Sequence, residues 1–154
     1  MFNHHKFFGR LLGKPIMADQ LFCGLPLKTQ KSLAKIKQKK RILKGNVITE
    51  IGGFSQNIYI HQNGQVKMTY NNELTKILYS RLVEKKEIIG LTQMLSNSPN
   101  EMKTVTLSTC HFETIKFDDF LNFLQNEPDV STQLLTLLGT DIRQNYQTFS
   151  TSIF

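Results

Sequence analysis

Cysteine, long apolar runs and recognisable catalytic motifs are scarce or missing in this 154-residue chain, and each absence removes a class of function. With Cys23 and Cys110 as the only cysteines, no Cys₄ metal site and no disulfide framework can be built, and an iron–sulfur sensor would need about four thiolates. A reducing cytoplasm is the expected compartment. No stretch reaches the roughly 18 apolar residues of a membrane span, so no membrane partner is expected. In the basic N-terminus, Gly9, Arg10, Gly13 and Lys14 interrupt the run a secretory signal requires. His4 and His5 stand beside each other without a companion at ligand spacing, so no metal site is expected. The chain contains no G-x-S-x-G, P-loop, G-x-G-x-x-G or H-E-x-x-H. Cys110 and His111 are neighbours on an expected strand and point to opposite faces. His61 precedes a turn and reads as a surface residue. Enzymatic chemistry is therefore not expected.

What is present is enough apolar material, 40% of residues, for one sizeable core. Asp19 is a candidate N-cap for a short first helix. From Leu27 to Ile36, apolar residues interleave with Lys28, Lys31 and Lys35, which predicts an amphipathic helix with a basic outer face. The basic run continues through Lys39, Lys40 and Arg41 to Lys44. It reads either as a solvated face or as a dock for nucleic acid or another acidic partner.

Beyond it, short β-rich runs are expected at 41–43, 47–50, 57–61, 65–70, 75–82, 103–107 and 113–116, a spacing typical of a sandwich or barrel. Asn63-Gly64 predicts a hairpin between the third and fourth runs. Asn71-Asn72-Glu73 predicts a second between the fourth and fifth. Asp118 and Asp119 mark a helix start, and Pro128 breaks or restarts the chain. From Asp129 onward, Leu135, Leu138, Ile142 and Phe149 fall at steps of three, four and seven, with Asn145 in the same seam. This spacing predicts a helix that packs on a partner helix, and hence a homodimer. The competing reading packs the stripe on the chain's own barrel.

The order of short helices, Gly-punctuated strands and a long C-terminal helix resembles the cyclic-nucleotide-binding domain of the Crp/Fnr regulators. Leu21-Phe22-Cys23-Gly24-Leu25 is similar to that family's opening motif, and Lys44-Gly45-Asn46-Val47-Ile48 to its "K-G-E-x-I" strand start. Gly52-Gly53, Ile58-Tyr59-Ile60 and Asn63-Gly64-Gln65-Val66-Lys67 resemble "G-D … L-Y-x-I … x-G-x-V-K". Ile89-Gly90, Met94-Leu95 and Pro99 resemble the phosphate-binding cassette. The resemblance implies a mainly β fold with flanking helices, a double-stranded β-helix or jelly-roll β-roll plus a long C-terminal helix. It divides the chain into an N-terminal extension (1–18), a β-roll domain (19–128) and a dimerisation helix (129–154).

In that family an Arg neutralises the cyclic phosphate and a Glu accepts from the ribose hydroxyl. Here the residue after Gly90 is Leu91 rather than Glu, and the residue after Pro99 is Asn100 rather than Arg, followed by Glu101. Two lost charge-assisted bonds amount to roughly 3–6 kcal/mol, or about 10² to 10⁴ in affinity. The expected pocket, Gly90, Leu91, Thr92, Met94, Pro99, Asn100, Glu101 and Met102, is therefore degenerate. No cofactor is expected, and tight cAMP binding is disfavoured. Lys103 is expected in the sheet with its ammonium in water. DNA reading would need the family's winged helix-turn-helix, which these residues do not contain. The leading expectation is a dimeric regulatory module. The alternatives are a sensor of a different small molecule, in which a ligand resets the dimer helix, and a stand-alone basic interaction module.

Overall fold

The computed structural model describes residues 15–153 apart from Glu73 and Thr75; the side chains of Asn72, Ile77 and residues 141–154 are not described. His4, His5 and most of the expected N-terminal extension thus lie outside the described residues. The first helix, α1, spans Ala18–Leu21 and is capped at Met17, so Asp19 lies in its first turn rather than at its cap. The earlier start has a visible cause. The Ala18 amide donates to the Lys86 carbonyl at 2.8 Å, and Met17 bridges to Glu87. These bonds tie the segment to the domain.

Helix α2 (Leu27–Ile36) leads directly into strand β1 (Lys37–Ile42). β1 begins four residues before the expected run at Arg41, and the basic stretch is strand, not helix surface. Its residues 38–41 are all exposed, so it shows none of the alternation that marks a half-buried strand. The remaining strands are β2 (Val47–Thr49), β3 (Asn57–Asn63), β4 (Val66–Asn72), β5 (Ile77–Leu82), β6 (Ile88–Ile89), β7 (Met102–Thr106) and β8 (Cys110–Lys116). They form two antiparallel sheets of order β1-β8-β3-β6 and β2-β7-β4-β5. First pairs with last, second with seventh, third with sixth and fourth with fifth. This is a jelly roll, as the resemblance implies.

The expected β4–β5 hairpin forms, with Asn72 opposite Ile77. The expected β3–β4 hairpin does not. Asn63-Gly64 does turn the chain, but it carries it from one sheet to the other, because β3 pairs with β8 and β6 while β4 pairs with β7 and β5. Gly64 is required there. Its φ is +93°, and a Cβ would lie 2.6 Å from both Cys110 Sγ and Thr109 O. Beside it His61 is 3% exposed, not a surface residue. Its ring nitrogens lie 3.0 Å from the Glu84 carbonyl and 2.8 Å from that of Gly64, so the imidazole ties the β3–β4 corner to the loop after β5.

Two cores result. Val66, Val83, Ile89, Cys110 and Phe112 fill the roll. Ile58, Ile60, Ile88 and Ile115 pack outward against the helices, through Leu21, Leu33, Phe120, Phe123 and others. Helix α4 (Phe117–Asn126) carries Asp118 and Asp119 in its first turn as expected, where the helix dipole favours them. After Glu127, helix α5 runs Pro128–Ile153. Val130 and Leu134 enter the outer core, with Leu137 and Leu138 packed partly against it. Leu135 is 70% exposed. Leu138 thus serves the chain's own core while Leu135 faces away; the side chains of Ile142, Asn145 and Phe149 lie outside the described ones.

Gly139 sits inside α5, and a Cβ there would meet nothing within 4 Å. Gly139→Ala is therefore expected to stabilise the domain by about 0.5–1 kcal/mol, and urea unfolding checks the sign.

Candidate functional site

The cassette expected around Gly90 is built where β6 ends. Gly90 adopts φ +90°, ψ 0° and caps the five-residue helix α3 (Leu91–Leu95). That left-handed turn suits glycine. It directs Leu91, 2% exposed, and Met94, 8% exposed, into the outer core. Leu91 thus occupies its position as packing. A cavity of about 90 Å³ lies between α3 and the inner face of the β2-β7-β4-β5 sheet, with Pro15 and Ile16 on its rim. Of the expected residues, Gly90, Leu91, Thr92, Asn100 and Met102 line it; Met94, Pro99 and Glu101 are not among its lining. Pro99 and Glu101 are exposed.

Asn100 is 6% exposed and hydrogen-bonded through both backbone and side chain. Its Nδ2 donates to Ser55 Oγ at 3.0 Å, its amide to Gly53 O at 2.8 Å, and its carbonyl accepts from Gly52 N at 2.8 Å. It clamps the loop between β2 and β3. Lys103 reaches Glu50 at 3.6 Å in an exposed pair, so it offers the cavity nothing.

Among the lining residues that the sequence did not point to are the polar side chains of Tyr79, Arg81 and Glu87. Their signal was the alternation on β5, where Tyr79, Arg81 and Val83 share one face; an arginine on an inward face needs a partner. That partner is Glu87, 2% exposed. Arg81 Nη1 and Nη2 donate to its two carboxylate oxygens at 2.8 Å each. Nη1 also donates to Leu82 O at 3.3 Å and Nη2 to Met68 Sδ at 3.4 Å, while Glu84 N–H donates to Glu87 Oε1 at 3.0 Å. The hydrogen bonds to Glu87, then charge attraction, hold the Arg81 guanidinium above its ordinary pKa against the opposing effect of burial. Among the described residues, Arg81 and Glu87 are the only charged ones that line the cavity, and they neutralise each other.

Among the described residues, no group of three or more His, Cys, Asp or Glu side chains is placed to hold a metal ion. None of the described helices is long and apolar enough to cross a membrane.

No curated protein sequence matches this chain. Solved structures do. The Thermus thermophilus catabolite activator protein superimposes with a TM-score of 0.75 at 20% identity over 85% of this chain, which spans 62% of that one's length. The sensor domain of the transcriptional regulator DNR from Pseudomonas aeruginosa gives 0.70 at 16% identity, covering 95% of both chains. The N-terminal domain of a transcriptional regulator from Streptomyces coelicolor gives 0.68 at 19%, over 84% of this chain and 91% of that one. At such identities the likeness is one of fold. The sequence itself matches the cyclic nucleotide-binding domain over residues 39–127, more than half of the chain. The chain therefore belongs to the cyclic nucleotide-binding domain family.

Proposed function

We propose that the protein is a non-enzymatic regulatory module of the Crp/Fnr type, dimerising through α5, whose cavity has lost the capacity to hold a cyclic nucleotide. The observation that carries this reading is the closed charge balance of the cavity. A cyclic phosphate brings a negative charge and would need an unspent cation, but the single cation among the described lining residues is bound bidentately by Glu87. The two family anchor positions supply no replacement. Leu91 is core and Asn100 is bonded to Ser55. Space points the same way, since about 90 Å³ falls well short of the roughly 300–1,000 Å³ typical of ligand pockets.

With Leu138 packed on the chain's own core, the dimer reading rests on the exposed Leu135 and on the steps of seven that place Ile142 and Phe149 after it in the sequence. Light scattering on the purified chain is expected to give about 36 kDa, twice the 17.8 kDa of one copy. A thermal-shift series against a panel of metabolites is expected to leave its Tm unchanged. A 17.8 kDa particle at tens of micromolar would remove the dimer. A saturable metabolite shift would replace the ligand-free module with a sensor.

A further inference from the structure

Between Gln20 and Thr49 the chain carries eight of its 19 Lys and Arg and none of its 12 Asp and Glu. Elsewhere eleven cations meet twelve anions, so the whole positive excess of +7 arises in the α2–β1 segment. The fold draws this segment into one band. Lys28, Lys31 and Lys35, at steps of three and four, form one stripe along α2. Next to that stripe, Gln30 and Ala34 share a groove with Lys37 and Lys39 of β1 and with Glu113, over Phe22, Leu25 and Leu33. Lys39 and Glu113 in turn border a second groove with Lys40, Arg41 and His111, and Arg41 lies opposite His111 in the β1–β8 register.

The one acid in the band is spent. Glu113 Oε2 lies 3.6 Å from Lys37 Nζ, and Oε1 accepts from Gln62 Nε2 at 2.7 Å. Lys28, Lys31, Lys35, Lys39, Lys40 and Arg41 form no ion pair with a described residue.

The composition of the band selects its partner. Its exposed positions from Lys28 to Arg41 hold only lysine, arginine, glutamine and one alanine. A bilayer surface would call for a large apolar face on the same element, and a protein partner for an apolar interface core. The exposed Leu27 and Leu43 stand singly outside the band. The apolar residues near the band, Phe22, Leu25 and Leu33 at the floor of one groove and Phe112 in the other, are buried or half-buried, so the exposed positions are cations and amides, which suits the phosphate backbone of a nucleic acid, where release of counterions drives binding. We infer that the α2–β1 band binds nucleic acid through its phosphates, without reading sequence. The inference is independent of what the cavity holds.

Fluorescence anisotropy of an arbitrary-sequence DNA duplex, titrated with the full chain from about 20 to 200 mM salt, tests it. Each phosphate contact contributes about −0.9 to the slope of log Kobs against log salt, so four to five contacts give a slope of roughly −4. The triple variant Lys39→Gln/Lys40→Gln/Arg41→Gln is expected to flatten that slope by about 2, and Lys28→Gln/Lys31→Gln/Lys35→Gln by a similar amount. Both change exposed side chains only, so unchanged melting curves are expected alongside. Lys67→Gln/Lys76→Gln/Lys103→Gln removes the same charge from the other sheet and should leave affinity and slope near wild type. Equal loss in that control would reduce the effect to net charge and overturn the inference. So would the absence of binding at low salt, or tighter binding through the same lysines to phosphatidylserine vesicles than to the duplex.

Discussion

Replacing Arg81 by methionine lowers the stability of the domain by about 3 kcal/mol, toward the lower end of the 3–5 kcal/mol typical of breaking a buried ion pair. The cost comes from what is left behind. Glu87 is 2% exposed and receives both Nη groups at 2.8 Å; without them its carboxylate keeps only the Glu84 amide. The lower end applies because the Arg81 side chain is 28% exposed, so water can partly replace it. Against a typical total of 5–15 kcal/mol, this is a large fraction. The double variant Arg81→Met/Glu87→Met is expected to recover most of the loss, since apolar replacement of both partners is often neutral or better. Urea unfolding of the three proteins checks both statements, and a single-variant cost under about 1 kcal/mol would show that the pair is solvated like an ordinary surface bridge.

Arg81's own share of the pH dependence follows from the sign of its shift. Its pKa is raised in the folded state, so its contribution is present throughout the range below the ordinary guanidinium value. That contribution is lost as pH rises through the raised value, in strong alkali.

How far the sequence could be read differs from element to element. The turn at Asn63-Gly64 was legible because glycine there is a local requirement. The sheet that the following strand joins was not, since that is decided by the pairing of β4 with β7, about forty residues away, while β3 pairs with β8. Lys37–Arg41 concealed a strand because an edge strand wet on both faces shows charge rather than alternation. β6, two residues long, gives periodicity nothing to act on. The burial of His61 depends on carbonyls brought to it by two separate loops.

At the site, the departures at Leu91 and Asn100 were visible as residue types, and the structure adds where each goes. The Arg81–Glu87 pair was hidden for a different reason. Its members stand six residues apart on β5 and before β6, and only closure of the intervening loop aligns guanidinium with carboxylate.

That alignment also makes the effect on cyclic nucleotide affinity the largest expected. Losing two charge-assisted anchors weakens binding by about 10² to 10⁴. Arg81 cannot compensate without abandoning Glu87, which would leave that buried carboxylate unpaired. Isothermal titration of the purified chain with cAMP, and then with cGMP, tests the central claim most directly. The account predicts no saturable heat at ligand concentrations up to about 1 mM. A one-site isotherm with micromolar affinity would contradict it, and would mean that Arg81 exchanges Glu87 for the phosphate.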